Sequence, residues 1–189
     1  NQSVSSLLEA VVGIVDTLGD SAEAQRELLK IADETMQAIQ VDQDPTPKEQ
    51  IKLAQLLLKN AQSYMSISGV GFGNLDLAEQ SLAESKTILD SIEVDLIEDE
   101  QLAIGLMFLE LSRYKYLAEL SQSQAALLVD NGRTLKFKDA IEIWTERESI
   151  AKKYYESTKD IRFITRQWSS RQGIGNAYIE LGEDSLAIS

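Results

Sequence analysis

Two segments at opposite ends of this 189-residue chain share one template. Each copy has apolar residues at helical spacing, then a Leu-Gly pair that ends the helix, then an alanine early in the next helix. The matched positions are Val11, Val15, Leu18, Gly19 and Ala24 in the first copy and Ile174, Tyr178, Leu181, Gly182 and Ala187 in the second. A leucine-glycine stop between two helices is typical of a helical hairpin. The recurrence therefore predicts a stack of such hairpins.

The rest of the sequence supports an all-α fold. Only two prolines and ten glycines are present, and alternation of apolar and polar residues at period two, the strand signal, is nowhere sustained. We predict stacked antiparallel helical hairpins that form a short α-solenoid, with about four hairpins of which the last is incomplete. Together they are expected to form a single helical-repeat domain over residues 1–189. The expected hairpins span approximately residues 5–40, 46–92, 99–159 and 161–189.

Several helix boundaries can be predicted from local signals. The segment 46–49, Thr-Pro-Lys-Glu, follows a polar stretch and combines a capping box with a proline at the first helical position. It predicts the start of a helix, and apolar residues at helical spacing from Ile51 to Tyr64 extend that helix over about 47–66. Further along, Asp-Asn-Gly at 130–132 predicts a turn between two long helices, and a later helix is expected over about 161–181.

The residue types present argue against catalysis. The chain contains no cysteine and no histidine, which removes the common nucleophile systems and the thiolate or imidazole metal sites. Asp99 and Glu100 form no catalytic pair, because adjacent residues of a helix do not face each other. Gly69, Gly71 and Gly73 follow a predicted helix rather than a strand, which favours a hairpin loop over a phosphate-binding loop. We expect no catalytic residue, no metal site and no cofactor, and we do not expect an enzyme.

Charge is distributed unevenly along the chain. Residues 1–110 hold 20 acidic and 6 basic side chains, whereas residues 111–189 hold 11 acidic and 12 basic side chains, for a net charge of −13. An anionic chain repels phosphate backbones, so we expect no nucleic-acid partner. The sequence contains no uncharged apolar run of about 18 residues, and we expect no membrane insertion by this segment.

The two ends of the sequence suggest a piece of a longer protein. It begins without methionine and breaks off where an eighth helix is expected to begin, near Ser185. It has no recognisable targeting segment, which leaves a cytoplasmic or a periplasmic location open.

The last copy of the template resembles the tetratricopeptide repeat. Residues 171–178 read Arg-Gln-Gly-Ile-Gly-Asn-Ala-Tyr, and the family pattern is Trp-x2-Leu-Gly-x2-Tyr, then Ala-x3-Phe, then Pro, repeated about every 34 residues. Here arginine stands at the tryptophan position, and the closing proline is missing. The second-helix signature recurs at intervals of 54, 62 and 47 residues as Ala24-x3-Leu28, Ala78-x3-Leu82, Ala140-x3-Trp144 and Ala187. The layout is also similar to helical-repeat sensor regions of multidomain bacterial signalling proteins such as serine/threonine protein kinases.

The resemblance implies roles for the small and aromatic positions of the template. In the family, glycine and alanine lie where two helices cross closely, and large side chains fill the neighbouring groove. The implied repeat positions are Gly19, Ala24, Ala78, Ala140, Gly175, Tyr178, Gly182 and Ala187.

The resemblance also implies residues that contact a partner. Asn176 occupies a position from which the family often directs an asparagine into a concave groove, and Gln172 lies one turn earlier on the same face. Family members that bind an acidic peptide C-terminus have a lysine where this chain has Gln172, so we do not expect that specificity. The alternative for Asn176 is a capping or solvated amide.

A set of aromatic and basic residues offers a further binding surface. Its members are Arg147, Lys152, Lys153, Tyr154, Tyr155, Arg162, Phe163, Arg166 and Trp168. Arginine, tyrosine and tryptophan are enriched in binding hot spots, and we include Arg166 among the candidate partner-binding residues. The alternative is that the aromatic rings pack between helices and the charges form a solvated face.

These observations predict a protein-protein or peptide interaction module, a scaffold or sensor region of a larger signalling or regulatory protein. Its partner would be a protein or peptide, including another domain of the same protein. The alternative is a structural, self-associating domain in which the eighth helix and the Trp168 face pack against another copy and form a homo-oligomer.

Overall fold

The computed structural model describes residues 45–66, 74–92 and 97–187. The regular elements in these ranges are all helices: α1 (Pro47–Ser66), α2 (Leu75–Ser91), α3 (Glu100–Ala126), α4 (Asp130–Thr158), α5 (Arg162–Glu180) and α6 (Asp184–Ala187). Helix α1 contacts α2, α4 contacts α5, and α5 contacts α6. The prediction of an all-α fold with packed helical hairpins is confirmed for this part of the chain. The expected hairpin 5–40, with Gly19 and Ala24, and the glycine-rich loop lie outside the described residues.

The chain divides into two compact units, residues 1–109 and 110–189, and the boundary falls inside α3. In the first unit, α1 and α2 form an antiparallel hairpin, since Gln50 at the start of α1 donates to Ser91 Oγ at the end of α2 at 3.4 Å. Ala78 of α2 is completely buried. The apolar side chains that α1 buries are Ile51, Leu53, Ala54, Leu56, Leu57, Leu58 and Ala61. Among the described helices, none combines the length and the hydropathy needed to cross a bilayer.

Side-chain caps set where α1 and α2 begin. The Thr46 N–H donates to the Glu49 carboxylate at 2.9 Å, and the Glu49 N–H donates back to Thr46 Oγ1 at 3.4 Å. This is the capping box that the sequence predicts. The hydrogen bond from the Thr46 backbone, followed by the one from its hydroxyl, lowers the pKa of the Glu49 carboxyl. Asn74 caps α2 in the same manner, accepting from the Leu77 N–H at 3.1 Å.

In the second unit, two reciprocal tyrosine-glutamate hydrogen bonds join α3 and α4 in antiparallel orientation. Tyr114 of α3 donates to Glu146 of α4 at 2.9 Å, and Tyr154 of α4 donates to Glu110 of α3. Burial, and then the hydrogen bond to the carboxylate, raises the pKa of both phenols. Both tyrosines therefore stay protonated donors at neutral pH.

Helix α4 begins earlier than the sequence predicts. The expected turn at 130–132 was wrong, because these residues form the first turn of α4 and the chain reverses at 127–129. There the N–H groups of Leu127 and Leu128 bond to the carbonyls of Gln124 and Ala125 at 3.1 Å each.

Glycines set the close approaches of α5. A Cβ added at Gly173 would lie 2.4 Å from Trp144 Cε2 of α4, and one added at Gly175 would lie 3.2 Å from the Ala187 carbonyl oxygen of α6. Ala140 of α4 is completely buried. These positions therefore allow α5 to lie close to the helices on either side of it.

Helix α5 ends in a glycine cap. Gly182 has φ 73, a left-handed conformation that glycine adopts without strain. Its N–H bonds to the Ile179 carbonyl and the Glu183 N–H bonds to the Tyr178 carbonyl, both at 2.9 Å. The Leu-Gly stop of the sequence template is thus a helix C-cap in this copy.

Candidate interaction surface on helix α5

The side of α5 that faces away from α4 carries a row of six residues at helical spacing, of which five are exposed and one, Gly175, is partly buried against α6. We call these six residues the outward row: Ile161, Thr165, Trp168, Gln172, Gly175 and Ile179. Ile161 directly precedes α5 and is 73% exposed, Trp168 is 66% exposed, and Ile179 is 56% exposed. The opposite side of the helix is buried, through Phe163, Ser170, Gly173 and Ala177. Large apolar side chains thus project from one face of a helix that is fixed by its other face.

A groove with a volume of about 950 Å³ adjoins the outward row. Its walls come from α4, α5 and α6, and its lining includes Glu148, Trp168, Arg171, Gln172, Tyr178 and Leu186. The groove therefore combines aromatic, aliphatic, amide and charged groups.

Arg171 and Glu148 form an ion pair in this groove. The Arg171 Nε lies 2.6 Å from Glu148 Oε1, with 62% of the arginine and 24% of the glutamate side chain exposed. The Arg171 guanidinium carbon also lies 5.9 Å from the centre of the Trp168 ring. This arginine stands at the position that is tryptophan in the tetratricopeptide repeat pattern. It contacts both Glu148 of α4 and the exposed Trp168 ring of α5.

The structure places the predicted partner-binding residues Gln172 and Asn176 in different depressions. Both are exposed. Gln172 lines the larger groove, whereas Asn176 lines a second depression of about 480 Å³ beside Arg133, Phe137 and Glu180. There the Arg133 Nη2 and a Glu180 carboxylate oxygen form an ion pair at 2.9 Å.

Arg166, the third predicted partner-binding residue, is exposed but lines neither depression. Its carbonyl accepts hydrogen bonds from Arg147 Nη1 and from Ser170 Oγ, both at 3.0 Å. The backbone of Arg166 therefore takes part in the contact between α4 and α5.

Arg147 belongs to the core. Its side chain is 1% exposed, with Nε donating to the Leu111 carbonyl at 2.8 Å and Nη1 donating to Ser169 Oγ at 2.8 Å and Ser170 Oγ at 2.7 Å. Burial, and then the charge of Arg166, lowers its pKa to about 10. It remains a cation at neutral pH and ties α3, α4 and α5 together.

The aromatic and basic set therefore divides between core and surface. Phe163 is completely buried and its ring lies 5.5 Å from that of the half-buried Tyr154, whereas Trp168 is exposed. Sequence patterns alone did not indicate that Arg171, Glu148 and Leu186 line one groove. Only the arginine at the tryptophan position gave a signal, since the groove depends on where three helices meet.

Cation binding finds no support in the described ranges, where no three acidic side chains come close enough together to hold a metal ion. Comparison of the chain with protein-family models, with curated proteins and with solved structures gave no match.

Proposed function

We propose that this chain is a protein- or peptide-binding module of tetratricopeptide-like type, part of a larger signalling or regulatory protein. It binds its partner through the outward row of α5 and the adjoining groove. The observation that carries the proposal is the exposure of Trp168 at the edge of that groove. Tryptophan is mostly buried in folded proteins and is the residue most enriched in binding hot spots.

The composition of the groove supports recognition. Of its described lining residues, one is acidic and one is basic, and these two, Glu148 and Arg171, are paired with each other. The remaining side chains offer apolar area together with the hydroxyls of Thr165, Ser169 and Tyr178 and the amide of Gln172. Apolar walls with a small number of polar groups are typical of sites that bind another chain or a ligand.

The position of the row on a rigid helix also supports binding. Helix α5 is fixed on its buried side by Gly173 against Trp144 and by the contacts to Arg147. A side chain held on a packed helix loses little conformational entropy when a partner binds, which favours affinity.

A displayed peptide library selected against the immobilised 189-residue chain tests the proposal. Peptides that bind are then measured by calorimetry against the unmodified chain and against Trp168→Ala. We expect Trp168→Ala to raise the dissociation constant about tenfold or more, because it removes the central aromatic anchor. Gln172→Ala is expected to weaken binding less, about threefold, through one lost hydrogen bond.

Leu135→Ala is the matched control, because Leu135 is 61% exposed on α4 and lines neither depression. It should leave binding unchanged, and all three variants should keep the thermal midpoint of the parent chain. Peptides that bind Trp168→Ala as tightly as the parent chain, or a selection that returns no binding peptide, would contradict the proposal.

A further inference from the structure

We propose that the uncovered part of the outward row, Ile161, Thr165, Trp168 and Gln172, binds an amphipathic α-helix of a partner protein. The partner helix runs antiparallel to α5, in line with α6, and its C-terminal end is acidic. This assignment rests on the proposed function, because it gives the form, direction and charge of the partner at the same surface.

Helix α6 already covers one end of the row. The chain reverses at Gly182, and Ala187, five residues after that glycine, reaches Gly175, seven residues before it. The first turn of α6 therefore runs back along α5, antiparallel to it. The outward side of α5 thus accepts a helix in this orientation at one end.

Beyond α6 the row stays uncovered for three turns. From Ile161 to Gln172 the steps are 4, 3 and 4 residues, and the segment is about 16 Å long. All four side chains are exposed, Ile161 by 73% and Trp168 by 66%. Alternating steps of four and three place side chains along one helix-packing seam. A helix in line with α6 can therefore contact all four without displacing α6.

The groove beside the row favours a helix over an extended peptide. Its volume of about 950 Å³ accommodates side chains between Trp168 and Leu186, and helices bound in grooves insert apolar side chains at similar spacing. An extended peptide needs partners for its backbone N–H and C=O groups. In the described ranges every regular element is a helix, so no sheet edge is present there to supply them. A helix satisfies these groups itself.

Charge sets the direction of the partner helix. Residues 150–173, the end of α4 and the first half of α5, carry six basic and two acidic side chains in a chain of net charge −13. The six basic side chains are all exposed: Lys152, Lys153, Lys159, Arg162, Arg166 and Arg171. A helix antiparallel to α5 places its C-terminus, with its partial negative charge, beside this basic segment. Acidic side chains at that end add to the attraction.

A library of designed helical peptides tests the form of the partner. Each peptide, about 16 residues of alanine and glutamine, varies apolar residues at the steps of the uncovered row and ends in two glutamates. Peptides selected on the immobilised 189-residue chain are measured by fluorescence anisotropy. We expect Trp168→Ala to raise the dissociation constant about tenfold and Leu135→Ala to leave it unchanged. A proline at the centre of the peptide should also raise it about tenfold, because proline breaks a helix.

Two charge changes test the acidic end. Replacing the two glutamates of the peptide by lysines should weaken binding about threefold or more, although lysine there favours the isolated helix. In the chain, Arg162→Gln should weaken binding of the glutamate peptide about threefold. Lys138→Gln is the matched control, because Lys138 is exposed on α4 and lines neither depression. Equal affinities of the glutamate and lysine peptides overturn the acidic assignment.

Thiol cross-linking tests the direction. Because the chain contains no cysteine, Ile161→Cys and Gln172→Cys each introduce one thiol, and a cysteine replaces either the first or the last apolar residue of the peptide. These two positions of the chain are about 16 Å apart, beyond the reach of one disulfide. Under mild oxidation Ile161→Cys should prefer the last position about fivefold, and Gln172→Cys should prefer the first. Equal yields or the reverse preference overturn the antiparallel direction.

The outcomes separate this assignment from the proposed function. Peptides from the unrestricted library that bind in a Trp168-dependent way, but gain no helical circular dichroism in the complex, overturn the helical partner and leave the proposed function standing. Designed peptides that bind equally well with a central proline have the same consequence. A surface that binds neither designed nor unrestricted peptides overturns both proposals.

Discussion

At the scale of single residues, Arg147 shows how the second unit accommodates a buried cation. Its guanidinium bonds to two main-chain carbonyls, of Leu111 and Arg166, and to the hydroxyls of Ser169 and Ser170. A buried charge is costly unless hydrogen bonds compensate the lost water. These acceptors come from α3 and α5, so satisfying the charge fixes both helices against α4.

Replacing this side chain should therefore be costly. We expect Arg147→Ala to lower the free energy of unfolding by about 3 kcal/mol, because it leaves a cavity and removes buried hydrogen bonds. Arg133→Ala, which removes an arginine from the exposed pair with Glu180, should cost less than about 1 kcal/mol. Urea unfolding monitored by circular dichroism measures both. Equal losses in the two variants would contradict the structural role of Arg147.

At the scale of the helices, glycine determines how closely two helices can pack, because it has no side chain. The crossing of α4 and α5 depends on Gly173, where Trp144 occupies the space that a Cβ would take. Helix α3 also contains a glycine, Gly105, but a Cβ there would have no neighbour within 4 Å. The same residue type thus serves packing in one helix and has no packing role in the other.

The two glycines give a pair of substitutions with opposite expected signs. Gly173→Ala should destabilise the chain by about 2 kcal/mol, because the new methyl group overlaps the Trp144 ring. Gly105→Ala should stabilise it by about 0.5 kcal/mol or more, because alanine is the better helix former and has room there. Thermal unfolding of both variants provides the measurement. A stabilising Gly173→Ala would show that the two helices can separate at little cost.

The start of α1 should respond to acid. Hydrogen bonds from Thr46 lower the pKa of Glu49 below its ordinary value of 4.5, so the folded state prefers the carboxylate. The contribution of this cap to stability is therefore complete above the unfolded-state pKa and is lost as pH falls through the lower folded-state pKa. A carboxyl-carbon NMR titration should give Glu49 a midpoint below 4.5, and Thr46→Ala should return that midpoint to the ordinary value. A Glu49 midpoint that does not change in Thr46→Ala would contradict the cap.

At the scale of the whole molecule, local signals predicted the helices better than the surface. The start of α1 follows from its capping box, which lies within four residues. The burial of Arg147 could not be predicted from local signals. Its hydrogen-bond acceptors Leu111, Arg166 and Ser169 lie 36, 19 and 22 positions away in the sequence. The separation of Gln172 from Asn176 depends in the same way on where α3, α4 and α6 meet α5.

The two faces of α5 also act together as a constraint on its length. Phe163 and Ala177 on the buried face, and Ile161 and Ile179 in the outward row, keep their orientations only while the residue count between them is unchanged. Each residue turns an α-helix by about 100°. Deleting or inserting one residue near the middle of α5 would leave one half in register and rotate the other half away from both of its neighbours. We therefore expect this segment to tolerate exchange of side chains far better than any change in the number of residues.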